Sequence, residues 1–330
     1  MVRTAASLVA GLAVSAPVAA QNTHIVLISG LGGDPEYTTT FHGWLSRFAD
    51  AASERYGVDR SRIQYFGEDP DLDPTAISAR STAENIGQAF VALKETLAPE
   101  DPVVVVMAGH GTFRDGIARF NIPGPDLTPP DLAGLIEGLG DRPITVVNMA
   151  TASGPFIEAL SAEGRTVITA TRTGREQNST RFGLHFVDAF ATEGADVDRD
   201  TRVSMLEAFN YAVREVAREY EGEGQLLTEH ALLDDNGDGE GSGDPAEGDD
   251  GALAGTMFLA STTAAGPDTR AMTPALRALY DEKAAIEASI EDLKGVKGQL
   301  PQERYEDELE ALLVELALKN REIRASGGGT

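Results

Sequence analysis

The 330-residue sequence contains no cysteine, which excludes disulfides, thiolate metal sites, iron–sulfur clusters and a cysteine nucleophile. Positive charge is also scarce, because 27 Lys and Arg residues stand against 53 Asp and Glu residues and leave a formal net charge of -26. A field of that sign repels phosphate groups, so we expect neither nucleic acid nor an anionic lipid surface as a partner. The apolar share of 42% is that of a globular protein.

A hydrophobic run long enough for a membrane span is missing from the N-terminal region as well. The apolar stretch at residues 5–14 is too short to cross a bilayer. It lies between the positively charged Arg3 and the small residues Val18-Ala19-Ala20, which is the pattern of a signal peptide with its cleavage site. We therefore expect a signal peptide at residues 1–20, export to the periplasm or the extracellular space, and no stable membrane insertion. The alternative is an uncleaved anchor.

Short apolar runs alternate with helical periodicity from residue 23 to about residue 220. The clearest strand is Val103-Val104-Val105-Val106-Met107, whose continuous apolar run is typical of a parallel sheet covered on both faces. Asp115-Gly116 predicts a tight hairpin. Other strands are predicted at 24–29, 63–66, 144–149 and 166–170, and helices at 40–55, 81–97 (with Ser81 and Glu84 as a capping box), from 128, at 182–191 and at 204–220. The fold class is therefore α/β, a doubly wound, mainly parallel sheet with helices on both faces.

The composition changes after residue 221. Residues 234–250 contain eight acidic residues, five glycines and no lysine or arginine, which predicts a solvated loop. Two amphipathic stretches separated by Pro301 predict a C-terminal helical hairpin. We therefore divide the chain into a signal peptide (1–20), an α/β domain (21–233), an acidic glycine-rich loop (234–251), and a short return segment with the C-terminal helical hairpin (252–330).

Two glycine-containing segments follow predicted strands. Gly109-His110-Gly111 comes after the strand at 103–107, and Ala150-Thr151-Ala152-Ser153-Gly154 comes after the strand at 144–149. Ligands gather at the carboxyl ends of the strands in an open parallel sheet, so His110 and Thr151 face each other there if the two strands are neighbours. The N–H group of Gly111 is a candidate oxyanion donor. Taken alone, His110 is as readily a buried histidine bonded to the backbone.

The order of strand, Gly-His-Gly, hairpin, helix, strand and Ala-x-x-Ser-Gly resembles the legumain-like cysteine peptidases and their caspase, gingipain and clostripain relatives. The resemblance spans roughly residues 23 to 220 and implies a caspase-like fold. It implies that His110 is the general acid/base and that the nucleophilic cysteine belongs at Thr151. The segment from 167 to 176 resembles the wall of the primary specificity pocket, which implies Thr171, Arg172 and Arg175 as substrate-binding residues.

Thr151 at the cysteine position makes peptidase activity doubtful on chemical grounds. A threonine hydroxyl needs an adjacent base, and Thr151 lacks the N-terminal amine that usually serves threonine nucleophiles. We therefore expect an exported, legumain-like peptidase homologue that is catalytically silent and binds extended peptide. Two alternatives stay open. One is an active peptidase or hydrolase that uses Thr151 with His110, and the other is an interaction scaffold whose contacts, with a partner or with itself, lie at residues 272–325.

Three polar side chains near these segments also have two interpretations each. In a pocket, Arg172 and Arg175 would favour an acidic side chain of the substrate, whereas on an acidic protein they would pair with local carboxylates. Ser153 is either a substitute nucleophile or a turn hydroxyl that caps the following helix.

Asp234-Asp235-Asn236-Gly237-Asp238-Gly239 resembles the start of an EF-hand calcium loop. Asp234, Asn236 and Asp238 take the first, third and fifth positions, which makes them the candidate metal ligands. Pro245 stands where the bidentate glutamate is required, so the motif is half a site. We expect no required cofactor. The loop either binds calcium weakly or is a plain solvated acidic loop.

Overall fold

A computed structural model describes residues 22–99, 101–197, 202–245, 249–259 and 301–327, with the single positions 279, 282, 286, 289, 290 and 293. The predicted signal peptide lies outside the described residues, as does most of the first helix of the predicted C-terminal hairpin. Within the described part, no helix is both long enough and apolar enough to cross a membrane.

The centre of the molecule is a sheet of seven strands in the order β3-β2-β1-β4-β7-β8-β9. Neighbouring strands run parallel, except that β9 runs antiparallel to β8. β5 and β6 form a separate hairpin. The strands are β1 (His24–Ser29), β2 (Ile63–Gly67), β3 (Ala79–Arg80), β4 (Val103–Ala108), β5 (Gly111–Arg114), β6 (Ile117–Phe120), β7 (Ile144–Asn148), β8 (Arg165–Thr169) and β9 (Leu232–Asp234).

Helices cover both faces of the sheet. They are α1 (Pro35–Glu54), α2 (Ala83–Thr96), α3 (Pro129–Glu137), α4 (Phe156–Leu160), α5 (Phe182–Ala191), α6 (Met205–Gly222) and, near the C-terminus, α7 (Gln302–Gly327). Alternate residues of the central strands enter opposite cores. Val104 packs in the core shared with α1, α5 and α6, whereas Val105 packs in the core shared with α2, α3 and α4. Burial on both faces explains the uninterrupted apolar run of β4 and confirms the mainly parallel α/β sheet flanked by helices.

The predicted hairpin is present, and its turn residues have the backbone conformation that such a turn requires. Asp115 has a φ of 56° and Gly116 a φ of 77°, so both lie in the left-handed region. Two consecutive left-handed residues match the twist of the flanking strands in a two-residue turn.

Several element boundaries differ from the predictions. α1 begins at Pro35 rather than near residue 40, because the Asp34 carboxylate accepts hydrogen bonds from the first free N–H groups of the helix. The residue that caps α2 is Thr82 rather than Ser81, and its hydroxyl accepts from the N–H of Asn85. β3 and β9 were not predicted, since two or three residues are too few to show a period. β9 includes Asp234, the first residue of the segment predicted as a loop.

The C-terminal region has an apolar cluster of its own. Ile286, Ile290 and Leu316 are buried together, with Leu309, Leu312 and Leu313 packed partly buried against them. The first two residues lie before Pro301 and the others lie in α7, so the contact joins the two stretches that were predicted to form the hairpin.

Candidate functional site

The two glycine-containing segments meet because their strands are neighbours. β4 pairs in parallel with β7, which brings the residues that follow both strands to the same edge of the sheet. The approach at that edge is close, since a Cβ atom on Gly111 would lie 2.1 Å from the carbonyl oxygen of Thr151. Only glycine fits at residue 111 without a shift of the backbone.

The Thr151 hydroxyl is fully engaged with the main chain of Gly111. The Gly111 N–H donates to Thr151 Oγ1 over 2.8 Å, and Oγ1 donates to the Gly111 carbonyl oxygen, also over 2.8 Å. Thr151 is only 3% exposed. Among the described residues, no hydrogen bond joins His110 to Thr151. The predicted nucleophile and the predicted oxyanion donor are therefore bonded to each other.

His110 is half-buried beside the start of α1. Its ring makes edge contacts with Tyr37 and Phe41, with centroid distances of 4.6 and 5.1 Å. Burial lowers the pKa of His110, while a hydrogen bond to the backbone of Gly32 and the charge of Asp34 act in the opposite direction. The lowered pKa favours the neutral imidazole.

Glu68 positions the loop that contacts His110, and sequence reasoning missed it. Its Oε2 atom accepts from the Gly32 N–H over 3.0 Å and from the Thr38 hydroxyl over 2.8 Å. Thr38 belongs to the first turn of α1, so the carboxylate ties the loop to the helix. Glu68 follows β2, and no local pattern in the sequence marks a bond across 36 positions.

The turn after Thr151 is held in an unusual backbone conformation. Ala152 has a φ of 54°, and its N–H donates to the carbonyl oxygen of Glu176 over 2.8 Å. A residue with a Cβ atom is disfavoured in the left-handed region, and such residues concentrate at functional sites. The contact with Glu176 joins this turn to the loop that follows β8.

Ser153 and Thr171 form a buried polar tie between the ends of β7 and β8. The Thr171 N–H donates to Ser153 Oγ over 3.2 Å, and the Gly154 N–H donates to Thr171 Oγ1 over 3.1 Å. The interpretation that the Ser153 hydroxyl caps the next helix is wrong, because the N-cap residue of α4 is Pro155 and no side chain caps this helix. Thr171 is 1% exposed, so its hydroxyl joins two segments of the chain rather than facing solvent.

Arg172 and Arg175 are exposed on the loop after β8. Neither guanidinium has an ion pair within the described part of the chain, which counts against the alternative that they pair with local carboxylates. The nearby Glu176 carboxylate instead accepts from the main-chain N–H of Arg172 over 3.2 Å and from that of His230 over 3.0 Å. His230 Nδ1 lies 3.3 Å from the same carboxylate. Glu176 and His230 are further residues of this region that the sequence did not single out.

The candidate calcium ligands are occupied by bonds within their own loop. Asp234, which is fully buried, accepts from the N–H groups of Gly237 and Gly239. Asn236 accepts from the Asp238 N–H, and Asp238 accepts from the N–H of the next residue but one. The described residues contain no group of three or more Asp, Glu or His side chains that could hold a metal ion. Calcium binding stays a prediction.

Comparison with known proteins yields little. No protein-family model matches the chain, and no curated protein matches it. One matching solved structure is that of protein GSU0716 from Geobacter sulfurreducens, which is 11% identical, with a TM-score of 0.43 over 64% of this chain and 92% of that one. At that score the similarity carries no argument about function.

Proposed function

We propose that this protein is an exported, legumain-like peptidase homologue with a caspase-like fold that binds extended peptide and does not cleave it. The observation that carries the proposal is the pair of hydrogen bonds between the Thr151 hydroxyl and the main chain of Gly111. The order β4, Gly109-His110-Gly111, hairpin, α3, β7 and Ala150–Gly154 supports the resemblance on which the proposal rests.

The bonding of Thr151 opposes acyl transfer in two ways. A hydroxyl attacks a carbonyl carbon only when a base takes its proton, and the proton of Thr151 is donated to an amide oxygen, which is not a base. The anionic intermediate needs a free N–H donor, and the N–H of Gly111 is donated to the hydroxyl. The Thr151 hydroxyl and the Gly111 N–H would both have to leave this buried contact before the hydroxyl could attack a substrate.

Peptide binding does not require that contact to break. Arg172 and Arg175 follow β8, which runs parallel to β7, so they lie at the same edge of the sheet as His110. Among the described residues their exposed guanidinium groups have no ion pair, on a protein of net charge -26. A guanidinium binds a carboxylate through paired, charge-assisted hydrogen bonds. We therefore favour peptides with acidic side chains as ligands.

The test combines peptide turnover with peptide binding. We expect the mature protein to leave a mixed-sequence peptide library uncut and to bind Asp- and Glu-containing peptides more tightly than their Asn and Gln counterparts. Arg175→Gln weakens that preference, whereas Arg80→Gln, an exposed arginine at the opposite edge of the sheet, leaves it unchanged. Binding is measured by fluorescence anisotropy with labelled peptides. A folded protein that binds no peptide would contradict the proposal.

Substitutions at the catalytic positions separate the silent homologue from the active alternative. Turnover by the wild-type protein that both His110→Ala and Thr151→Ala abolish would show that Thr151 acts as a nucleophile after all. Thr151→Cys restores the residue that the resemblance requires. Cleavage gained by this variant supports a peptidase-derived site with His110 still in place, and no gain indicates that the surrounding site has diverged.

The interaction scaffold remains a second candidate because of α7. Val314 and Leu318 are 54% and 46% exposed and lie one helical turn apart. A sedimentation measurement on the wild-type protein and on Val314→Glu tests whether this face supports self-association. If both proteins sediment as monomers, self-association through this face is excluded.

A further inference from the structure

A cavity of about 320 Å³ lies between the end of β8, helices α5 and α6, and the segment that leads into β9. Its lining is mainly apolar and includes Phe182, Val213, Val216, Ala217, Leu227 and Ala231. Neither His110 nor Thr151 contributes to it. The cavity therefore shares Arg172 with the edge of the sheet where the peptide is proposed to bind, but it includes neither Arg175 nor the residues at the catalytic positions. Its volume is at the lower end of the range typical of small-molecule sites, roughly 300–1,000 Å³.

Four polar residues line the cavity, and three of them already have partners. Both Glu229 carboxylate oxygens accept from the N–H of Arg181, over 3.0 and 2.9 Å. His230 is bonded to Glu176, and Asp244 also has a partner. Arg172 differs, because its guanidinium makes no hydrogen bond or ion pair with any described residue. The exposed N–H groups of the Arg172 guanidinium are therefore available to a ligand.

We propose that this cavity binds a carboxylate carried by a small apolar group, with the apolar part against α5 and α6 and the carboxylate on Arg172. An apolar wall selects the body of such a ligand, and a free guanidinium selects its charged end. The ligand is either a free branched-chain acid or the C-terminal residue of a peptide, since both present the same chemistry. A cationic ligand fits less well, because the Glu229 oxygens are already bonded to the start of α5.

The overall negative charge does not prevent this binding. Exposed charges farther away than about 8–10 Å are largely screened at physiological ionic strength. Of the charged groups in the lining, Glu229 and Asp244 already have partners, whereas the Arg172 guanidinium has none among the described residues. The exposed Leu226, next to the cavity residue Leu227, extends the apolar surface along the chain.

The first experiment titrates the full-length mature protein with 4-methylpentanoate and, separately, with 4-methylpentanamide, followed by calorimetry. We expect the acid to bind at least 10-fold more tightly than the amide. Arg172→Gln should weaken binding of the acid by about 10- to 100-fold, which is the range for a lost hydrogen bond to a charged group. Arg80→Gln makes the same charge change at the far edge of the sheet and should leave the affinity unchanged.

A second variant closes the cavity without changing charge. Ala217 is exposed at the cavity on α6, so Ala217→Phe fills its entrance with little strain in the core. Asn210→Phe adds the same ring at an exposed position of α6 outside the cavity and serves as the control. We expect the first variant to lose binding of 4-methylpentanoate and the second to keep it.

A peptide that ends in leucine, with a free or an amidated C-terminus, then distinguishes the two sources of the carboxylate. Binding of the free-terminus peptide that Ala217→Phe abolishes supports the peptide source, and binding of the free acid alone supports the small-molecule source. Equal affinity of acid and amide, or binding of the acid that survives both Arg172→Gln and Ala217→Phe, would overturn the proposal. Peptide binding at the edge of the sheet is tested through Arg175, which does not line the cavity, so that proposal survives such a failure.

Discussion

At the residue scale, the Thr151 side chain is a hydrogen-bond partner for the main chain of Gly111. Its hydroxyl is bonded to both the N–H and the C=O of Gly111, inside a region with little access to water. A buried backbone group without a partner destabilises the fold by about 1–3 kcal/mol. Thr151 therefore contributes to stability whether or not it has a role in chemistry.

Thr151→Val tests this structural role because valine has nearly the same shape and no hydroxyl. We expect the variant to lose about 2–5 kcal/mol of unfolding free energy, since the N–H and C=O of Gly111 are both left unpaired. Thr151→Ser keeps the hydroxyl and should lose far less. Urea denaturation followed by circular dichroism measures both. Equal stability of the valine and serine variants would show that the two bonds contribute nothing.

Gly111→Ala should disrupt the close approach of the two segments. The added Cβ atom would meet the Thr151 carbonyl oxygen at 2.1 Å, so the backbone has to move and the variant should be destabilised by more than about 1 kcal/mol. Gly134→Ala is the matched control, because it lies inside α3 with nothing near the added atom. That change should stabilise the protein by about 0.5–1 kcal/mol, measured by the shift of the urea midpoint.

At the scale of elements, a buried carboxylate holds the start of α5. Glu229 accepts two hydrogen bonds from the Arg181 N–H at this helix terminus and is 4% exposed. Burial raises the pKa of Glu229 to about 7, against the opposing effect of the backbone hydrogen bonds from Arg181 and Phe182. The carboxyl is therefore ionised at a higher pH in the folded protein than in the unfolded chain.

This raised pKa predicts that stability falls as the pH rises. Between the ordinary pKa of 4.5 and about 7, the folded protein holds a proton that the unfolded chain has lost, so unfolding releases it. The contribution lost across this window is about 3 kcal/mol. Glu229→Gln keeps an acceptor for the helix terminus and should flatten this part of the profile, measured by urea unfolding at pH 5 to 8. An unchanged slope in the variant would contradict the assignment to Glu229.

The contrast between His110 and Glu229 shows which parts of the site were predictable. His110 and Thr151 were placed at one edge of the sheet because each follows an apolar run, and parallel strands end at the same edge. Glu68 and Glu229 act through bonds across 36 and 48 positions, which no local spacing reveals. The bonding of Thr151 to Gly111 depends on main-chain geometry to within tenths of an ångström, which a motif cannot specify.

The loop after β9 should keep its conformation without a metal ion. The Asp234 carboxylate already accepts from two backbone N–H groups, and these bonds fix the turn from within. We therefore expect the same melting temperature in EDTA as in buffer. Calorimetry with millimolar calcium chloride tests the remaining prediction of weak binding. A melting temperature that falls in EDTA and recovers with calcium would show that the loop needs the ion.

At the scale of the whole molecule, the described chain contains three apolar clusters. Two of them lie on opposite faces of the sheet, and the third consists of residues around Ile290 and Leu316. No residue of the third cluster is shared with the other two. Clusters without common members contribute to stability independently to a first approximation.

Removal of residues 272–330 should therefore leave the α/β domain folded. The two sheet clusters lose no member in the truncated chain, so we expect its main melting transition to stay within a few degrees of that of the full-length protein in calorimetry. Leu316→Asp in the full-length chain is the matched test, because a buried charge should unfold only the third cluster and leave the same main transition. If truncation abolishes cooperative melting, the helices support the domain through contacts outside their own cluster. Retention of the transition, together with peptide binding, would place that binding in the α/β domain and separate it from any contact made by α7.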